Sequence, residues 1–373
     1  MTSADRPDQL DLFLSQIDRT VDEKLTNRRI EEHLRYIKNA DGTRPTAQPE
    51  AGGTICSDSE TLVIGAGISG LTTALTLLET GYRVRVLADH LPMQTTSAAA
   101  GASWGPYMTD DPRTYGWAQA TLAELEATAQ DPTTGVTMTS GIIASRTQMP
   151  VPPWAKEYPG FRICQKDELP AGYVFGWWGQ FPVVDMPTYL AHLTQRLHTA
   201  GVDVEQVTVD SLDQLRAPTI VNCAGSGAGR LAGDPSLVPV QGQLVVLENP
   251  GVHWYFEDIS EGDDDTGELI YFIPHGEHIV LGGSATKPSQ DLVPDPEISA
   301  RIIERAVAIE PKLAHARVLG HRVGIRPARP RVRVERTIHN GQQIVHNYGH
   351  GGAGVTLSWG CAKEVLKIMK APP

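Results

Sequence analysis

A glycine-rich turn between an apolar strand and an apolar helix is the first feature of this sequence that could bind a cofactor. The turn GAGISG, residues 65–70, follows the apolar run TLVI, and the helical stretch behind it ends near Gly81. Such a turn brings backbone close to a pyrophosphate, whose charge the helix N-terminus stabilises. Asp89 ends the next predicted strand, where it can accept hydrogen bonds from a ribose diol. The pattern predicts a dinucleotide without a 2′-phosphate; a glycine turn in an ordinary α/β protein is the alternative.

Two further segments favour a flavin over a nicotinamide. Residues 95–101, TTSAAAG, supply hydroxyls and small side chains after the second strand, where a bulky ligand must lie against the backbone. Residues 349–356, GHGGAGVT, immediately precede the last predicted helix. Backbone N–H groups at that helix start can bind the carbonyl end of an isoalloxazine ring and favour negative charge on it. The alternative is that both segments are structural loops, since small residues also serve helix packing.

The composition argues against several classes of protein. The chain has 373 residues and a formal net charge of -12, so it lacks the cationic footprint that nucleic acid requires. No apolar run approaches the length that spans a bilayer, and no signal peptide is visible. The four cysteines are scattered without a CxxC pair, which argues against a zinc site or a disulfide framework. We therefore expect a soluble cytoplasmic protein with no metal, no nucleic-acid partner and no membrane partner.

Hydrophobic periodicity predicts the elements that position these segments. Residues 61–88 are predicted to form a βαβ unit. Further helices are predicted over 112–129, 186–199, 296–309 and 357–369, and strands over 219–223, 243–247, 269–273 and 278–282.

The first sixty residues are predicted to form an appendage. Apolar side chains recur at mostly three- to four-residue intervals from Asp8 to Lys38, which indicates one long amphipathic helix or two shorter ones. Residues 39–59 have the polar, Gly/Pro-rich composition of a linker. Because an isolated helix is only marginally stable in water, we expect this helix to pack on the main body or on a second subunit. A disordered tail is the alternative.

In combination, these motifs resemble the D-amino acid oxidase family of flavoproteins, which includes D-aspartate oxidases. The resemblance runs from about Thr61 to Met369, with the blocks VIGAGISGL, TTSAAAG, VNCAGSGAGRLAGDPSLVPVQGQ, IYFIPHGEHIVLGGSA, GIRPARPRVRVER and HNYGHGGAGVTLSWG in the family's order. It implies an α/β fold, with a Rossmann-like FAD-binding domain, an interleaved β-sheet-rich substrate domain, and a helical N-terminal extension. The FAD-binding domain would comprise residues 61–106, 205–240 and 316–373, the substrate domain 107–204 and 241–315, and the extension 1–60.

The resemblance also implies roles for individual residues. Arg326 matches the residue that pairs with the substrate carboxylate, Tyr271 the tyrosine that supports it, and Gly352 the backbone carbonyl that accepts the substrate amine. The residues that would contact FAD are Gly65, Ala66, Gly67, Ile68, Ser69, Gly70, Asp89, His90, Thr95, Thr96, Gly101, Ala102, Val209, Ala224, Gly225, Gly351, Gly352, Ala353, Gly354, Val355 and Thr356.

These residue types suit the chemistry that the resemblance implies. A carboxylate in an apolar pocket is bound best by a bidentate guanidinium, and a tyrosine hydroxyl adds a second donor. Fixing both carboxylate and amine directs one face of the substrate Cα toward the flavin. The alternative for Arg326 is a structural salt bridge, because five arginines lie between Arg322 and Arg333. The alternative for Tyr271 is a core residue of a strand.

The implied reaction is the FAD-dependent oxidation of a D-amino acid. Cα–H passes as hydride to flavin N5, the imino acid hydrolyses to a 2-oxo acid and ammonia, and oxygen reoxidises the flavin to give hydrogen peroxide. We expect the enzyme to be a homodimer. One alternative is an oxidase of glycine, a secondary amine or an acidic D-amino acid. Another is a flavin-binding partner module without catalysis, against which the presence of Arg326 and Tyr271 argues.

The sequence departs from the family at the lid over the substrate. Animal members carry a second tyrosine four residues before the first; here that position is Gly267, within an acidic stretch, so a shorter or more open lid is predicted. Residues 254–269 contain no Lys or Arg that could bind an acidic side chain. Neutral side chains are therefore favoured, and basic ones are left open.

Overall fold

The computed structural model describes residues 55–56, 60–105, 111–260, 268–289 and 292–372. The predicted N-terminal helix and almost all of its linker lie outside these residues, as does the predicted lid position Gly267.

The described residues form both α-helices and β-strands. The helices are α1 (Ile68–Glu79), α2 (Thr114–Thr128), α3 (Met186–Thr199), α4 (Ala228–Ala232), α5 (Pro296–Ile309) and α6 (Gly354–Lys370). The strands are β1 (Ile55–Cys56), β2 (Thr61–Ile64), β3 (Val84–Ala88), β4 (Ala102–Ser103), β5 (Val136–Ser145), β6 (Arg162–Ile163), β7 (Phe175–Val184), β8 (Val204–Gln206), β9 (Leu215–Arg216), β10 (Thr219–Asn222), β11 (Val238–Glu248), β12 (Tyr255–Asp258), β13 (Glu268–His275), β14 (His278–Ser284), β15 (Val318–Ala328), β16 (Arg333–His339) and β17 (Gln342–Tyr348).

A six-stranded sheet has the order β16-β17-β10-β2-β3-β8. All of its pairings are parallel except that between β16 and β17. The central strand β2 is TLVI and is buried throughout, as expected for a parallel strand that is covered on both faces. Ile64, the last residue of β2, pairs with Asn222 of β10, and Asn222 pairs with His346 of β17. Strands from distant parts of the chain therefore meet at the edge where the glycine turn follows β2.

A nine-stranded sheet has the order β15-β11-β14-β13-β12-β5-β7-β4, with β6 also paired to β7. Its pairings are antiparallel except that between β12 and β5. One face packs on α5, where Phe272 and Leu281 share a core cluster with Ile302 and Ile303. Successive residues of a strand point to opposite faces of the sheet. By the pairing of the strands, Arg326 and Tyr271 are out of phase with the core residues and lie on the opposite face.

Three helices join the two sheets. α1 packs along α6, and α2 crosses α6 so closely that a Cβ on Gly360 would overlap the backbone of Trp117. α5 starts at a cap in which Asp295 accepts hydrogen bonds from the backbone N–H groups of Glu297 and Ile298. Within the described part of the chain, no helix is long and apolar enough to cross a membrane.

The predicted α/β architecture is confirmed. The helices predicted over 186–199 and 296–309 have those bounds, and that predicted over 112–129 spans 114–128. The last helix begins at Gly354, three residues before its predicted start at Leu357. β15, which the predicted division assigns to the FAD-binding domain, pairs with β11 in the nine-stranded sheet. The division into two domains at the predicted boundaries stays a prediction.

Candidate active site

The glycine turn lies where β2 ends and α1 begins, beside the end of β10. Gly65 has a φ of 106°, which strains any other residue, and a Cβ there would overlap the Cys223 carbonyl. A Cβ on Gly67 would lie 3.0 Å from Ser97 Oγ. That hydroxyl accepts a hydrogen bond from Ile68 N at 2.9 Å. The turn therefore offers bare backbone at a helix N-terminus, which is what a pyrophosphate requires.

The N-terminus of α6 lies next to that of α1. A Cβ on Gly354 would lie 3.9 Å from Ile68 Cγ2. Thr356 Oγ1 donates to the Gly105 carbonyl at 2.8 Å and accepts from Gly105 N at 3.1 Å, which ties the chain after β4 to α6. Because both helix N-termini carry the positive ends of their dipoles, they suit an anionic ligand. The residues present fit FAD, whose two phosphates and electron-rich reduced ring both need such groups.

The other residues predicted to bind FAD follow the strands of the same sheet. Asp89 and His90 come directly after β3 and are exposed, with His90 Nδ1 3.1 Å from Asp89 Oδ1. Ala224 follows β10 and begins a short turn in which Gly225 has a φ of 53°. Val209 is buried in a core cluster of that sheet.

Arg326, on β15, reaches over the backbone of the neighbouring strand β11. Its Nη1 donates to the Ser284 carbonyl at 2.7 Å, and a Cβ on Gly242 would lie only 2.5 Å from that nitrogen. The guanidinium therefore occupies the space that a side chain at position 242 would fill. Without a Cβ at this position, the planar group can lie against the sheet and keep its remaining donors for a ligand.

The neighbours of Arg326 are bonded to the predicted cofactor segments. Ile325 N donates to Thr96 Oγ1 at 3.3 Å, and Gly351 N donates to the Pro327 carbonyl at 3.0 Å. β15 thus connects residues 95–101 on one side with residues 351–356 on the other. The carboxylate anchor and the backbone predicted to face the flavin are consequently adjacent.

Tyr271, on β13, lies across β14. A Cβ on Gly282 would overlap its ring, and a Cβ on Gly283 would lie 3.3 Å from its hydroxyl. A Cβ on Gly101 would lie 3.4 Å from the ring edge. The hydroxyl is therefore above Gly283, whose next residue accepts the hydrogen bond from Arg326. The structure brings the two predicted substrate-binding side chains together over glycine backbone.

Two groups of charged side chains near this face escaped the sequence analysis. Glu257, on β12, is opposite Tyr271 in the register and accepts a hydrogen bond from Ser103. Asp185 lies 3.5 Å from His278 Nε2 and 3.9 Å from Arg322 Nη2. In the first group, the one signal in the sequence is an acidic residue directly after the apolar run WYF.

The pKa values near the site follow from burial. Burial raises the pKa of Glu257, partly opposed by the hydrogen bond from Ser103. Burial also lowers the pKa of Arg322, which Asp185 opposes. His350 has its pKa lowered to about 4 by burial, and its Nε2 is 3.1 Å from Asn347 Oδ1. A buried imidazole with a neighbouring amide is suited to structure more than to proton transfer.

Comparison with known proteins identifies the family. A family model described as FAD dependent oxidoreductase matches residues 60–368. The chain belongs to this family. The family membership and the FAD cofactor predicted from the sequence are thereby confirmed.

Two curated relatives are similar over most of the chain. The D-amino-acid oxidase of Streptomyces coelicolor is 44% identical over 315 residues, which are 83% of this chain and 97% of that protein. The D-amino-acid oxidase of Rubrobacter xylanophilus is 42% identical over 315 residues, which are 83% of this chain and 95% of that protein. The crystal structure of glycine oxidase from Geobacillus kaustophilus has a TM-score of 0.68 at 17% identity, covering 83% of this chain and 94% of that one. The similarity to the glycine oxidase structure shows the fold alone.

Proposed function

We propose that this protein is a D-amino acid oxidase that binds its substrate through Arg326, Tyr271 and Gly352. The reaction converts a D-amino acid, oxygen and water to a 2-oxo acid, ammonia and hydrogen peroxide. The observation that carries the proposal is the convergence of the Arg326 guanidinium and the Tyr271 hydroxyl over neighbouring strands. The similarity of more than four-fifths of the chain to D-amino-acid oxidases supports it.

Each of the three residues has a separate task. The guanidinium of Arg326 binds the substrate carboxylate through two parallel hydrogen bonds, and the Tyr271 hydroxyl donates a third. The carbonyl of Gly352 accepts a hydrogen bond from the amine. Together they fix the substrate Cα, so the hydrogen on one face alone is positioned for removal. Bound FAD supplies the two-electron oxidant.

The predicted FAD contacts stay part of this proposal. Glycines at 65, 67 and 354 keep the starts of α1 and α6 accessible, and Asp89 at the end of β3 is available for the ribose. The loop residues Thr95, Thr96, Gly101 and Ala102 would line the pyrophosphate and the ring.

The side-chain preference that we propose excludes acidic substrates. Leu244 and Val280 on the site face are apolar and suit a neutral side chain. Arg322 is a second cation on this face, but Asp185 lies 3.9 Å from it. The positive charge of Arg322 is therefore already balanced by Asp185. Glu257 would repel the side-chain carboxylate of an acidic substrate. Glycine and secondary amines remain the alternative substrates.

A homodimer in the cytoplasm also stays a prediction. Cys164, Cys223 and Cys361 are buried free thiols, which is compatible with a reducing compartment.

Replacement of Arg326 tests the carboxylate anchor. Purified wild type should be yellow and should release peroxide with D-methionine or D-alanine. Arg326→Ala should raise KM by about 100-fold or more, since a charge-assisted bidentate pair is lost, while FAD absorbance is retained. Arg331→Ala, at an exposed position in the same segment, is the matched control. An unchanged KM in Arg326→Ala would show that another residue binds the carboxylate.

A further inference from the structure

Glu257 is an acidic side chain on the face of the sheet that carries the proposed site. In the antiparallel pairing of β12 with β13, Glu257 is directly opposite Tyr271. Residues opposite each other share a face, and their Cα atoms are about 4.5–5.5 Å apart. Tyr271 is in turn opposite Gly282, over which its ring lies. Glu257 is thus one strand away from the tyrosine proposed to bind the substrate.

The carboxyl group of Glu257 is surrounded by protein atoms, but the side chain is still partly accessible to solvent. Protein atoms enclose the carboxyl group deeply enough to raise its pKa, and yet its exposed fraction is intermediate. Solvent therefore still reaches part of this side chain. A Cβ on Gly105 would lie 3.9 Å from Oε2, so the glycine leaves the space next to this oxygen open.

Residues next to Glu257 connect it to the proposed flavin site. Ser103, which donates its hydroxyl to Oε1 of Glu257, precedes Gly105 by two residues. Gly105 is bonded through both its N–H and its carbonyl to Thr356 at the start of α6. Tyr271 therefore lies on one side of Glu257. Residues 103–105, which are hydrogen-bonded to the start of α6, lie on the other.

The charge of Glu257 lacks a counter-ion in the described part of the chain. Its only stabilising partner there is the Ser103 hydroxyl. Burying a carboxylate with only one neutral hydrogen bond is unfavourable, because that bond does not compensate for the lost hydration free energy. Such a group is retained most readily where a ligand supplies the missing positive charge.

We propose that Glu257 determines specificity by binding the positively charged side chain of a D-lysine- or D-arginine-like substrate. This inference rests on the proposed function and specifies its substrate class. Arg326 and Tyr271 hold the carboxylate end, and Oε2 of Glu257 accepts a hydrogen bond from the distal ammonium or guanidinium. A neutral side chain is accommodated without that bond, and an acidic one is repelled.

The exchange Glu257→Gln isolates the charge, because the amide oxygen still accepts the Ser103 hydrogen bond. The readout is the ratio of kcat/KM for D-lysine to that for D-methionine. We expect this ratio to fall about 10- to 100-fold, the range for a charge-assisted hydrogen bond. Glu257→Lys should reverse the selectivity toward D-glutamate. The control is Glu248→Gln, which makes the same exchange at an exposed position of the same sheet and should leave the ratio unchanged.

Three outcomes would overturn the proposal. One is a Glu257→Gln variant in which neither kcat/KM changes by more than about twofold. Another is an equal loss of kcat/KM for D-lysine and D-methionine, which leaves the ratio unchanged and would assign Glu257 to the substrate amine. The third is a wild type that oxidises D-methionine and not D-lysine.

Binding without turnover separates this inference from the proposed function. 6-Aminohexanoate has the carboxylate and terminal ammonium of lysine but no α-amine, and hexanoate lacks both amines. In titration calorimetry with the oxidised holoenzyme, wild type should bind 6-aminohexanoate at least tenfold more tightly than hexanoate, and Glu257→Gln should lose the difference. Equal binding of the two probes by wild type contradicts the role of Glu257. If no D-amino acid is oxidised, including D-methionine and D-alanine, the proposed function fails, and calorimetry still decides on Glu257.

Discussion

Asp234 is the residue that holds the arginine-rich segment against the six-stranded sheet. Its carboxylate accepts hydrogen bonds from Arg329 Nε and from the Tyr348 hydroxyl, both at 2.9 Å. Ser236 donates through its backbone and its hydroxyl. Burial acts to raise the pKa of Asp234, but the hydrogen bonds from Ser236, Tyr348 and Arg329 outweigh it, and the net shift is downward.

The lowered pKa of Asp234 predicts a pH-dependent contribution to stability. The carboxyl group has a pKa near 3.9 in the unfolded chain, so the stabilisation is present above that pH and is lost as the pH falls below it. Asp234→Asn should lower the free energy of unfolding by about 1–3 kcal/mol at pH 7. The deficit relative to wild type should shrink below about pH 4. Urea unfolding of wild type and Asp234→Asn at pH 7 and at pH 3 measures this difference in the free energy of unfolding.

The matched control for Asp234→Asn is Asp203→Asn. Asp203 is largely exposed and its nearest charged neighbour is a histidine on the surface, so its replacement should change stability little. A deficit of Asp234→Asn that is constant from pH 7 to pH 3 would mean that hydrogen-bond geometry, and not ionisation, carries the effect.

Residues within motifs could be predicted to meet, and residues outside them could not. Arg326 and Tyr271 stand in blocks that the family resemblance aligns, and the structure brings them together. Glu257 is one of two adjacent acids at the end of a short strand, and this pattern would equally suit an exposed edge. Its position beside Tyr271 depends on the register of two strands, which no local pattern determines.

The crossing of α2 over α6 is a close helix contact that the sequence does not reveal. Gly360 N donates to Thr121 Oγ1 at 3.0 Å, and a Cβ at position 360 would overlap the backbone of Trp117. Because the obstacle is backbone, it cannot rotate away as a side chain would.

Replacing this glycine should separate the helices. Gly360→Ala should lower the free energy of unfolding by about 1–3 kcal/mol, the cost of overpacking, and lower the melting temperature. Gly116→Ala in α2 is the matched control, since no atom lies within 4 Å of its added Cβ. It should be neutral or stabilising by up to about 1 kcal/mol, because alanine favours helix. Destabilisation of both variants to the same extent would rule out the close crossing as the cause.

Helix bounds were predictable where the sequence carries a stop or start signal. α5 begins at Pro296 behind the capping Asp295, and its predicted bounds match. α6 starts earlier than predicted because Gly354, Val355 and Thr356 have no apolar period. Their helical conformation is supported by tertiary contacts, among them the two hydrogen bonds of Thr356 with Gly105.

For the whole molecule, the open question from the sequence is the role of residues 1–53. The amphipathic pattern over 8–38 predicts docking on the body or on a second subunit, away from the cofactor. Deletion of residues 1–53 keeps β1, which pairs with β9. We expect the deleted protein to lose the dimer or several degrees of melting temperature, since an apolar interface is removed, while FAD content and kcat/KM stay at wild-type values.

Light scattering, thermal unfolding and steady-state kinetics on the same preparation check this prediction. Unchanged assembly and melting temperature would favour a disordered tail. Lost turnover with FAD still bound would mean that the segment reaches the active site.

The order of strands in the six-stranded sheet has a consequence for biosynthesis. The chain is made from its N-terminus, so β2 and the glycine turn exist long before β10, which pairs with β2, and before β17, which pairs with the far edge of β10. Parallel pairings between such distant segments form slowly. An apolar strand such as TLVI is prone to aggregate before its pairing partner has been synthesised. The nascent chain must therefore shield this edge of β2 until β10 has left the ribosome, and the predicted cofactor site is complete only after the last helix follows. Yield in a foreign host should depend on chaperone supply more than on flavin supply.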